Sequence, residues 1–86
     1  MTYYAVLLPM LDEQKSEDYR EAHVAYLQEK KADGKIFANG RFIDGTGGLV
    51  IYQTNTFEEL LELVQNDPYV VERARDFEIH EWDLVL

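Results

Sequence analysis

His23 and Asp67 are the two residues whose type and setting point to chemistry. Tyr19 lies four residues before His23, Tyr26 three after and Leu27 four after, so on a helix the imidazole falls inside the apolar, inward-facing stripe. An imidazole is a side chain suited to general base or acid work near neutral pH. Asp67 directly precedes Pro68, the pattern of a helix cap followed by the first helical residue. Were the two side chains to meet, the carboxylate would accept the proton of one ring nitrogen, fix the tautomer and leave the other nitrogen free for a substrate. Each residue also has a plainer explanation. A histidine on an apolar stripe is more often a core residue tied to one carbonyl or carboxylate, and Asp67 can serve as a cap alone.

Around this pair stand candidates for substrate binding. Arg41 carries a guanidinium suited to a carboxylate, although a surface contact with Asp44 explains it equally well. Arg20, one turn before His23, flanks the stripe, where most such residues pair with neighbouring acids. Tyr19, Tyr26 and Tyr69 offer phenols, while aromatic residues at helical spacing more often pack a core. His80 alternates with Glu78 and Trp82 and reads as structural. Two distant histidines without a His or Cys companion make no metal site, and the chain has no cysteine. The turn at residues 44–48 lacks the Gly-Lys-Ser/Thr ending of a phosphate loop and opens no helix, so it reads as a hairpin turn.

Composition narrows the setting. The chain has 86 residues, 47% of them hydrophobic and 13% aromatic, which is the make-up of one folded domain over 1–86. Seventeen Asp and Glu against eight Lys and Arg give a charge of −9, which argues against a nucleic-acid partner. The start has no basic region and its apolar run is too short for a membrane span, so a soluble cytoplasmic protein is expected. The acidic excess is uneven: residues 57–86 hold nine acids and two bases, whereas residues 35–56 hold one acid and two bases, Arg41 among them.

The elements that must position the candidates follow from periodicity. Residues 3–8 are apolar throughout and stop at Pro9, which predicts a strand buried on both faces. Ser16 is expected to cap a long helix that runs to about residue 33, with Tyr19, Ala22, Tyr26 and Leu27 inward and Gly34 ending it. Strands are expected over 36–43 and 49–54. Thr56 and Glu59 match a capping box ahead of a helix with Phe57, Leu60, Leu61 and Val64 on one face. A short helical piece over 68–75 and a last strand over 77–84 complete the chain. The order β-α-β-β-α-β is the split βαβ, ferredoxin-like α+β arrangement, with two main helices on one face of a four-stranded antiparallel sheet in spatial order 4-1-3-2. That topology gathers His23, residues 40–48 and Asp67 at one end of the domain. The hairpin and first strand carry apolar residues in both parities, so the uncovered face needs a partner, for which a second copy of the same sheet is the expected cover.

Arg20-x-x-His23, Gly34, Gly40 and above all Asn66-Asp67-Pro68-Tyr69, with Trp82 near the end, resemble the YciI-like (YCII-related) proteins over essentially the whole chain. The resemblance implies a ferredoxin-like fold that dimerises through its sheets as a dimeric α/β barrel. It also implies a catalytic dyad, here His23 and Asp67, and a relative in the family is a dehydrochlorinase acting on a chlorinated hydroxyquinol. The sequence departs from the family pattern at Arg41 and Tyr69, where Gly-Pro and Phe are usual. The expectation is a small cofactor-independent enzyme of lyase or isomerase type. It would move a proton on a small cyclic or aromatic substrate, with an anionic one left open by Arg41, and with Arg41, Tyr19 and Arg20 as substrate contacts. The rival expectations are a non-catalytic ligand-binding or interaction domain and a cofactor-free oxygenase.

Overall fold

The computed structural model describes residues 1–86. The elements run β1 (Thr2–Pro9), α1 (Glu13–Asp18), α2 (Arg20–Ala32), β2 (Ile36–Arg41), β3 (Gly47–Thr54), α3 (Phe57–Gln65), α4 (Pro68–Val71) and β4 (Glu78–Trp82). The four strands form one antiparallel sheet in the order β2-β3-β1-β4, the expected ferredoxin-like arrangement. β1 is central, as its continuous apolar run requires.

Register decides which face each side chain joins. Tyr4 pairs with Tyr52, Val6 with Val50 and Leu8 with Gly48, and this set lies under the helices. There it meets Leu27 of α2 and Leu60 and Val64 of α3 in one core that also includes Ile36. Val6 and Leu60 are fully covered, and burying a side chain of that size contributes roughly 1.5–3 kcal/mol. The opposite face carries Tyr3, Ala5 and Leu7 opposite Gln53, Ile51 and Leu49, and opposite Trp82, His80 and Glu78 on the other flank. No helix covers it. Phe37, packed edge-on against Tyr3, and Trp82 remain 41% and 42% exposed.

Several boundaries differ from those read in the sequence. The first helical region is two helices rather than one, broken at Tyr19. Asp12 is the cap, accepting from Lys15 N at 3.0 Å, and Glu13 occupies the first turn. Ser16 is not a cap but lies buried inside α1, its hydroxyl directed at Met10 Sδ and the Ala74 carbonyl. Because α2 starts afresh at Arg20, its inward face is His23, Tyr26 and Leu27, and Ala22 is exposed. β2 ends at Arg41, where Phe42 N bonds to Gly47 O at 2.8 Å and closes the hairpin, leaving Ile43 90% exposed. Gly47 sits at φ +147, and a Cβ there would strike the Leu8 carbonyl oxygen, so glycine lets the hairpin lie against β1. α4 stops at Val71, short of residue 75, and β4 covers only Glu78–Trp82.

Candidate active site

Two local signals bring His23 and Asp67 together. His23 occupies the first turn of α2, its N–H bonded to the Tyr19 carbonyl at 2.9 Å, on the face toward the sheet. Asp67 caps α4, accepting from Tyr69 N at 2.9 Å. His23 Nδ1 lies 2.7 Å from Asp67 Oδ1. An ionised carboxylate only accepts, so Nδ1 is the donor, and Nε2, which has no partner in the protein, is the nitrogen left free, an acceptor in the neutral ring. Asp67 is 1% exposed, and its Oδ2 is buried without a hydrogen-bond partner, so one oxygen serves both the histidine and the cap. The Tyr69 ring lies parallel to the imidazole at 3.9 Å and fixes its plane.

His23 forms part of the wall of a cavity of about 260 Å³ at the predicted end of the domain. Leu8 and Met10 at the end of β1, Gly40 and Arg41 of β2, Gly47 and Gly48 of β3, and Arg20, Tyr69 and Arg75 complete most of the lining. Asp67 stands behind His23, outside the wall. Arg20 and Arg41 therefore meet His23 at one cavity, and Arg41 has no ion pair with Asp44, whose carboxylate instead accepts from Thr46 N and Oγ1. Those bonds hold the Asp44 carboxyl below its usual range. Tyr19 does not line the cavity: it is the joint between α1 and α2.

The buried phenols are committed to structure. Tyr26 donates to the Leu63 carbonyl at 2.7 Å, and Tyr69 to the Ser16 carbonyl at 2.9 Å. Burial, then the charges of Asp67, Glu29 and Glu62, push the Tyr26 hydroxyl up to about 12, and burial raises Tyr52 further, so neither is a base. No group of three or more His, Cys, Asp or Glu side chains is placed to hold a metal ion.

Arg75 was not evident in the sequence. Its Nε donates to Ser16 Oγ at 3.0 Å, its Nη1 reaches the Leu8 carbonyl at 3.5 Å, and its guanidinium lies 4.6 Å from the Tyr69 ring centre. A spacing of eight residues from Asp67 carries no periodic signal, because the chain reverses in between.

A model of the YCII-related domain matches residues 1–83. The chain belongs to the YCII-related family. YjpA of Bacillus subtilis (strain 168) is 28% identical over 82 residues, which cover 95% of this chain and 96% of that one. Among solved structures, this YCII-related fold matches 5-chloro-2-hydroxyhydroquinone dehydrochlorinase (TftG) from Burkholderia phenoliruptrix in complex with 2,5-dihydroxybenzoquinone. The TM-score is 0.82 at 24% identity, covering 94% of this chain and 93% of the other, which establishes a shared fold.

Proposed function

We propose that the protein is a small cofactor-independent enzyme in which His23 moves a proton on a small cyclic or aromatic substrate. The observation that carries this reading is the free Nε2 of His23 on a cavity wall, with Nδ1 held by a buried carboxylate. Nε2 takes a proton from an acidic carbon or hydroxyl, and Asp67 stabilises the imidazolium formed. The electron pair left behind either returns with the proton at another atom, as in an isomerase, or expels a leaving group, as in a lyase. A fold neighbour that is a dehydrochlorinase and holds a dihydroxybenzoquinone supports a ring of this size and the second outcome. Arg20 and Arg41 are the substrate contacts in this reading, and Tyr19 supports the site from the α1–α2 joint.

A homodimer through the open sheet face belongs to the same reading, because that face leaves Phe37 and Trp82 to water. The test is turnover of chlorinated hydroxyhydroquinones, followed by chloride release. Wild type should react and His23→Gln should lose 10²–10⁴-fold in rate, roughly the worth of a positioned acid or base, while staying folded. Equal rates in the two proteins would exclude the dyad. A non-catalytic binding domain is the second reading, favoured by the bond from Tyr69 N to the same Asp67 oxygen, since a cap alone explains that carboxylate. Under it, Asp67→Asn changes stability only.

A further inference from the structure

Seventeen acids and eight bases give every basic side chain of this protein abundant partners, yet its salt bridges join His23, Lys30, Lys35 and His80 to acids and leave all four arginines out. Three of those four, Arg20, Arg41 and Arg75, line the His23 cavity. No Asp or Glu lines the cavity where these guanidinium groups converge. Arg75 is the most constrained of the three. Ser16, itself 3% exposed, accepts from its Nε, Leu8 accepts from Nη1, and Tyr69 supports its plane, so the fork is fixed while Nη2 has no partner in the protein. Asp67, the buried acid nearby, takes His23 and Tyr69 N on Oδ1 and forms no ion pair with Arg75. Burial lowers the Arg75 pKa from its ordinary value, with Arg20 acting in the same direction and Tyr69 and Asp67 opposing it. Such a wall is unfavourable when empty and is relieved by a bound negative charge.

We infer that the cavity takes a single-ring organic oxyanion, and that Arg75 is the residue that fixes its negative group beside His23. The inference rests on the reading of this cavity as a substrate site, and it adds to that reading a ligand charge and a specificity residue. Imidazole and guanidinium both pack on the Tyr69 ring, and both line the same cavity, so one ligand can meet both. A volume of about 260 Å³ is below the range of drug-sized sites and suits one ring. The planar fork matches a carboxylate or a pair of adjacent ring oxygens, whereas an ammonium would be a point charge.

Calorimetric titration of benzoate and of its neutral isostere benzamide tests this. Wild type should bind benzoate about ten to a hundred times more tightly, the worth of one charge-assisted hydrogen-bonded contact. Arg75→Gln should erase the preference, Arg20→Gln should reduce it severalfold, and Arg73→Gln, outside the cavity, should keep it. Arg75→Lys, which preserves charge over Tyr69, serves if the glutamine variant does not fold, and should lose most of the preference. His23→Gln should retain it, which separates this inference from proton transfer: turnover can fail while the preference stands. No benzoate binding, equal binding of the two probes, or an unchanged preference in the Arg75 and Arg20 variants would overturn the inference.

Discussion

Asp67 is the residue on which both the fold and the chemistry converge. Its Oδ1 receives two donors while Oδ2 is buried without one, so the carboxylate is stable only because His23 and Tyr69 N are both in place. Asp67→Ala removes a cap worth about 1 kcal/mol and a partner of a part-buried histidine, so a loss of roughly 3 kcal/mol is expected in urea unfolding. Asp67→Asn keeps the cap and should cost distinctly less, while lowering turnover because an amide no longer dictates which ring nitrogen carries the proton. Equal stability losses in both variants would show that the cap is the minor part. His23 and Asp67 were legible in the sequence because each has a local signature, a helical stripe for one and an Asp-Pro cap for the other. Arg75 was not, because its place depends on three-dimensional contacts with Ser16 and Leu8, far away in the chain.

At the scale of elements, the segment after α4 explains how Arg75 reaches the cavity. Arg73 adopts φ 57, and the N–H groups of Ala74 and Arg75 both turn back to the Tyr69 carbonyl. A left-handed residue there usually is glycine, so Arg73→Gly should stabilise the protein by roughly 0.5–1 kcal/mol, read as a higher melting temperature. α2 and α3 are joined by Tyr26, whose phenol bonds the Leu63 carbonyl. Below pH 10 that phenol is protonated in folded and unfolded chains alike. Between 10 and about 12 the unfolded chain releases the proton and the folded one holds it, so stability falls as pH rises through this window. Urea midpoints of Tyr26→Phe should fall less steeply there than those of wild type; parallel curves would contradict the assignment. The element order and the α3 cap were readable because each rests on local periodicity and capping chemistry, and the strand order followed from the topology that this element order implies. The break at Tyr19 was not, because Ser16 looks like a cap until Ala74 and Arg75 claim its hydroxyl.

For the whole molecule, the asymmetry of the sheet is the main fact: one face is sealed by helices and the other presents Tyr3, Phe37 and Trp82 beside Leu7 and Leu49. That both parities of β1 are apolar was visible in the sequence, and the structure leaves the second of those faces without a helical cover. We expect a homodimer at micromolar concentration by light scattering, and a monomer for the pair Phe37→Glu and Trp82→Glu, which places four charges in the seam. A wild-type monomer would contradict the sheet-to-sheet assembly. No helix of the structure is long and apolar enough to cross a membrane. The charge of −9 lies mostly after residue 56, yet no Asp or Glu lines the cavity that holds Arg20, Arg41 and Arg75.

In the proposed site Asp67 holds His23 with Nδ1 protonated and Nε2 free toward a ligand. Long-range proton–nitrogen NMR of the His23 ring at neutral pH, with and without benzoate, measures it most directly. A protonated Nδ1 is expected in the free protein, with a shift of the Nε2 resonance on adding benzoate. A ring protonated at Nε2 alone, or one whose nitrogens ignore the ligand, would contradict it.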